Sequence, residues 1–108
     1  MSQLAFRALA DPTRQNILMM LRAGDMTIFE IASNFAMTRA AVKKHLIILT
    51  DAGLITSRPQ GRERFNTLTP NGLSPVRDWT SDLDALWDDR LSDLKNAIEQ
   101  DRIAPKTG

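Results

Sequence analysis

Six basic residues fall between positions 38 and 64, namely Arg39, Lys43, Lys44, Arg58, Arg62 and Arg64, against only Asp51 and Glu63. Cations gathered this way do not make a nucleophile or a general base; they make a surface for an anion. Arg39 has the planar fork that pairs bidentately with guanine O6 and N7. Ala40 beside it is small enough for close backbone approach and can meet a thymine methyl. Lys43 lies one helical turn on, and Lys44 sits to the side, better aimed at a phosphate. Thr38 can cap the helix that carries them and donate its hydroxyl to a phosphate. Further on, Arg62 and Arg64 share one face of a strand by alternation, with Phe65 on the other. Arg58 is expected across a turn from Arg62, and like charges facing each other cost energy unless an anion lies near. A helix with cations at its N-terminal end, beside a basic hairpin, is a combination that fits double-stranded DNA.

The same inventory excludes other chemistry. With zero cysteines, zero tyrosines and one histidine, the chain has few nucleophiles or bases, and no thiolate metal site. It is not expected to be an enzyme or to hold a cofactor. His45 is expected at the flank of its helix, bonded to a backbone or phosphate oxygen, because one histidine is not a ligand set. Charge is divided along the chain: residues 1–72 hold nine Lys/Arg and five Asp/Glu, a net of +4, while residues 73–108 hold five and eight, a net of −3. The acidic residues of 78–93 fit a solvated helix face. Two bland readings stand beside the DNA-binding one: a merely soluble basic surface, and a winged-helix module that binds protein.

The elements that position these residues follow from caps and spacing. Leu4, Phe6 and Leu9 with Ala5 and Ala8 mark a short opening helix. Asp11-Pro12 supplies an N-cap and a first-turn proline for a second helix, about 12–23, that buries Ile17, Leu18 and Leu21 and stops at Gly24. Thr27-Ile28-Phe29-Glu30 matches a capping box and opens a third helix to about Phe35, burying Ile28, Ile31 and Ala32. Thr38 starts a fourth, 39–52, burying Val42, Leu46 and Leu49 and ended by Gly53. So tight a link between the third and fourth is the helix-turn-helix arrangement. Ile47 falls near the solvent side with Lys43. Residues 54–68 read as a hairpin turning at Pro59-Gln60-Gly61, and 75–100 as a long last helix. The fold class is therefore mainly α with a small β-hairpin, a winged helix-turn-helix of five helices and a two-stranded wing.

At 108 residues the chain is read as one domain over 1–100, with 101–108 a flexible tail. No apolar run reaches the length of a membrane span and no signal pattern opens the chain, so no membrane partner and a cytoplasmic location are expected. The last helix carries a stripe of Trp79, Leu83, Trp87, Leu91 and Leu94, close to a heptad seam. Part of it should cover the domain's own core. The rest, with Leu4 and Phe6 of the first helix, is read as the interface of a homodimer that spaces two DNA-reading helices for an inverted repeat. The alternative is a monomer whose last helix folds back. A small apolar effector could sit between subunits, but no residue requires one.

These residues resemble the ArsR/SmtB family of bacterial transcriptional regulators. The likeness lies in Leu9-Ala10-Asp11-Pro12-Thr13-Arg14 with Ile17-Leu18, in Met26-Thr27-Ile28-Phe29-Glu30-Ile31-Ala32, in Ala41-Val42-Lys43-Lys44-His45-Leu46, in Ala52-Gly53-Leu54-Ile55 and in Gly61-Arg62. It covers about residues 4–95 and implies a homodimeric winged-helix protein, usually a repressor, that dimerises through its first and last helices. Metal sensors of the family carry a Cys-x-Cys pair in the third helix, where this chain has Thr27 and Phe29, and others use histidines on the last helix, where it has none. Trp79, Leu86-Trp87 and Arg90-Leu91 resemble a metal-free subgroup, which implies no metal site.

Overall fold

Helix starts are set by side chains that satisfy free backbone N–H groups, and three of them fix the frame. The computed structural model describes residues 3–103. Helix α1 (Gln3–Leu9) leads to α2 (Pro12–Leu21), where the Asp11 carboxylate accepts from the Arg14 N–H at 3.0 Å. That hydrogen bond, with the nearby Arg14 and His45 charges, holds the Asp11 carboxyl below its ordinary 3.8 against the opposing effect of burial. Arg14 also closes α1 from below: its Nε donates to the Ala8 carbonyl at 2.8 Å and its Nη2 to that of Arg7 at 3.0 Å.

Strand β1 (Met26–Thr27) runs straight into α3 (Ile28–Ala32). Both halves of the expected capping box are present, with Thr27 Oγ1 accepting from the Glu30 N–H at 3.2 Å and Glu30 Oε1 accepting from the Thr27 N–H at 3.1 Å. The helix ends three residues before the expected Phe35. The Ser33 hydroxyl and the Asn34 amide both donate to the Glu30 carbonyl, at 2.7 and 2.9 Å, and so offer the backbone an alternative to another helical turn. Helix α4 (Arg39–Asp51) is capped by Thr38, whose Oγ1 accepts from the Ala41 N–H at 3.1 Å. It closes in a Schellman motif: Gly53 N–H bonds to Thr50 O and Leu54 N–H to Leu49 O, each at 3.0 Å, with Gly53 at φ +76.

Strands β2 (Ile55–Gln60) and β3 (Glu63–Leu68) form the hairpin, and β1 adds to β3, so the sheet is three-stranded and antiparallel in the order β1-β3-β2. The third strand was not expected; two residues are too few for alternation to mark. The turn also falls later than expected, at Gly61-Arg62, because Gln60 pairs with Glu63 and Gly61 takes the positive φ of +66 that a tight hairpin needs. Pro59 stays within β2, which is tolerated because β2 is an edge strand. Asn66, buried on β3, donates its amide to the Met26 carbonyl at 3.1 Å and ties β1 to the hairpin.

Among the described residues the buried side chains of the core lie before Val76. Ile17, Ile31, Val42, Leu49 and Ile55 are its largest fully buried side chains, each contributing about 1.5–3 kcal/mol by leaving water, and Ala8, Leu21, Leu46 and Leu54 complete it. The chain divides into two compact units, one up to Val76 and one from Arg77 onward. Helix α5 (Ser74–Ile103) begins in the first unit, makes up the second from Arg77 as far as it is described, and runs past the expected end near 100; of the expected tail 101–108, residues 104–108 lie outside the described residues. The stripe expected to cover part of the core, Trp79 to Leu94, falls in the second unit. No helix among the described residues is long and apolar enough to cross a membrane.

Gly72 binds the loop after β3 to the end of α4: a Cβ there would lie 2.8 Å from the Gly53 carbonyl oxygen and 3.3 Å from Leu54 Cα. Backbone atoms cannot swing aside as a side chain can. Gly72→Ala should therefore cost about 1–3 kcal/mol in urea unfolding; an unchanged midpoint would show that the loop yields freely.

Candidate nucleic-acid interface

The buried face of α4 decides what its other face presents. With Val42, Leu46 and Leu49 turned inward, Arg39, Ala40, Lys43 and Ile47 line one wall of an open groove of about 660 Å³. The opposite wall is the hairpin, with Ser57, Arg62, Glu63, Arg64 and Asn66, and the first turn of α3 closes one end with Ile28 and Phe29. Four of the six expected cations thus share one depression, against Asp51 and Glu63. Ile47, exposed but facing this groove, gives it an apolar patch beside Lys43.

Each cation is held differently. Arg39 lies over the Phe29 ring, its guanidinium carbon 5.7 Å from the ring centroid. That is within the range of a cation–π attraction. Arg64 folds back along the sheet, its Nε donating to Ser57 Oγ at 3.1 Å and its Nη2 to the Ser57 carbonyl at 3.4 Å. Arg62 occupies the turn rather than the strand, so it does not share a strand face with Arg64 by alternation, although both reach the groove. Lys43 and Lys44 are exposed, and Lys44 lies outside the groove lining. Thr38, exposed at the helix start, spends its hydroxyl oxygen on the cap.

Arg58 departs most from expectation. Its Cα faces Phe65, not Arg62, and its Nη2 bonds to the Asp25 carboxylate in an ion pair. Hydrogen bonds from Thr67 and Arg58 hold the Asp25 carboxyl below its ordinary 3.8. The charge repulsion expected across the turn is absent because the two arginines do not face each other. His45 is also placed otherwise than expected. It is half-buried with Nδ1 3.3 Å from Arg14 Nη1 and 3.9 Å from Asp11 Oδ2, so its partners are side chains of the α1–α2 junction rather than a phosphate or backbone oxygen. Phe29 was missed as a site residue, and only its oddness as a large aromatic next to a capping box could have flagged it. Asp25 gave no signal at all, since its partner lies 33 residues away.

On α5, Trp79, Trp87, Leu91 and Leu94 are exposed, Trp87 by 62%, and Leu83 is half-buried. Leu86 and Ile98 extend the exposed apolar set. In the first unit Leu4 is exposed and Phe6 half-buried.

Comparison with known proteins gives a consistent picture. Residues 11–57 match the family described as bacterial regulatory protein, arsR family. The HTH-type transcriptional regulator Rv2034 of Mycobacterium tuberculosis is 36% identical over 97 residues, spanning 90% of this chain and 88% of that protein. The transcriptional repressor SdpR of Bacillus subtilis is 35% identical over 74 residues, 68% of this chain and 82% of that one. Among solved structures, an ArsR-like transcriptional regulator from Rhodococcus superposes with a TM-score of 0.77 at 32% identity, covering 90% of this chain and 89% of the other.

If Asp25 withholds Arg58 from external anions, Asp25→Asn should elute from heparin at higher salt than the parent. The gain should shrink when Arg58→Gln is added; a gain of the same size in that background would show that Arg58 was never withheld.

Proposed function

The chain belongs to the ArsR family of bacterial regulatory proteins, and on that premise we propose that it is a sequence-specific transcriptional repressor that binds an inverted-repeat operator as a homodimer. The observation that carries the reading is the single groove lined by Arg39, Ala40 and Lys43 of α4 and by Arg62 and Arg64 of the hairpin. In this reading the N-terminal half of α4 enters the major groove. Arg39 meets a guanine edge, Ala40 lets the backbone approach, and Lys43 follows one turn on. Thr38 and Lys44 take phosphates, and Arg62 and Arg64 reach the neighbouring backbone or minor groove. Arg58 joins them by exchanging the Asp25 carboxylate for a phosphate.

Homodimerisation is supported by the apolar surface left open. Trp79, Leu83, Trp87, Leu91 and Leu94 recur along α5 at helical spacing, and exposed tryptophans and leucines in such number are disfavoured on a monomer. In the first unit we assign Leu4 and Phe6 to contact with the partner as well. A two-fold axis then sets two α4 helices about one DNA turn, roughly 34 Å, apart. Repression follows by occluding a promoter, without catalysis and in the cytoplasm, where the DNA is. It also proceeds without a metal, because Thr27 is committed to capping α3 and Phe29 brings no ligand atom.

Selection from random duplexes by the purified protein should return an inverted repeat, and Arg39→Ala should cost about 1–3 kcal/mol of operator affinity and relax one base pair in each half-site. Sequences recovered without symmetry or consensus would overturn the reading. Trp87→Asp should sediment as a monomer and lose operator affinity at low protein concentration; a variant that remained dimeric would remove α5 from the interface.

A further inference from the structure

We propose that Phe29 is a positioning residue for base readout by Arg39, an inference that rests on the DNA-binding reading above. Phe29 is 64% exposed, more than any other large apolar side chain of the first unit among the described residues. The hydrophobic core does not account for it, yet its place is well fixed. It stands in the first turn of α3, whose entry is locked by the reciprocal Thr27–Glu30 hydrogen bonds. Arg39, the first residue of α4, is likewise fixed at its backbone by the Thr38 cap. The two capped helix starts bring the guanidinium over the ring at 5.7 Å, and both residues line the groove.

The ring attracts the guanidinium's charge at 5.7 Å, while guanine O6 and N7 would take its N–H fork, so one group can serve both partners. The contacts do not compete, so a side chain that would otherwise sample many rotamers is restrained before DNA arrives. A lysine at position 39 would gain attraction from the ring but has no planar fork to keep aligned. Because Phe29 is uncharged, it adds nothing to counterion release, and its removal should not change the salt dependence of binding.

The test measures affinity for the selected operator and for duplexes substituted singly at each base pair, using the parent, Phe29→Leu, Phe29→Tyr, Arg39→Ala and the Phe29→Leu/Arg39→Ala double variant. Phe29→Leu should lose about two- to five-fold in discrimination at the base pair that depends on Arg39, with the salt slope unchanged. Phe29→Tyr should retain discrimination, and the double variant should discriminate no worse than Arg39→Ala alone. The inference is overturned if Phe29→Leu discriminates like the parent, if it weakens all duplexes equally, or if it costs as much discrimination in the Arg39→Ala background. Arg39→Ala with parental discrimination would overturn it too, while leaving DNA binding to other residues. A parent that shows no preference among the duplexes would remove both this inference and the function it rests on.

Discussion

Burial of Val42, Leu46 and Leu49 fixes the rotation of α4 about its own axis, because the helix has one apolar stripe and the core accepts that stripe alone. Everything the opposite face presents follows from this, including the direction in which Arg39, Ala40 and Lys43 point. The Schellman motif at Gly53 then fixes where the chain leaves the helix. Leu54 and Ile55 enter the core at once, so the hairpin begins close to the end of α4 and returns alongside it. A groove with cations on both walls is thus a consequence of one buried stripe and one glycine stop, and neither wall needs the positive charges to hold it in place.

Within that frame the cations are restrained to different degrees. Arg39 rests on a ring face and Arg64 on the Ser57 oxygens, so each gives up some freedom before meeting an anion. Arg58 is paired with a carboxylate, which any phosphate must displace. Lys43 and Lys44 take part in no salt bridge among the described residues, and each is a point charge on a flexible stem. Base reading requires pre-set geometry, whereas phosphate attraction requires only charge.

Helix starts, and the glycine stop of α4, were legible because their signals are local. Asp11-Pro12, the Thr27–Glu30 box, Thr38 and Gly53 each act within about one turn, and each stands where its residue type implies. The buried faces of α2 and α4 were legible for the same reason, through their periodicity. Features set by distant partners were not. Two residues of β1 find their strand only because Asn66 and Phe65 come alongside from the far side of the helix-turn-helix. The turn position hung on whether Gly61 or Pro59 would govern, which the pairing of Gln60 with Glu63 decides. Arg58 with Asp25, His45 with Arg14, and Arg39 with Phe29 are meetings of residues 10 to 33 positions apart, and nothing in their local spacing announces them.

The central claim is that the start of α4 and the hairpin tip act as one surface on one ligand. A titration of the isotopically labelled protein with a short operator duplex, followed by amide and arginine side-chain resonances, addresses it directly. Resonances of Arg39 to Ile47 and of Gly61 to Arg64 should move together, with a common midpoint that shifts with salt. Perturbation confined to α4 with the hairpin silent, or centred on α5 instead, would contradict the account.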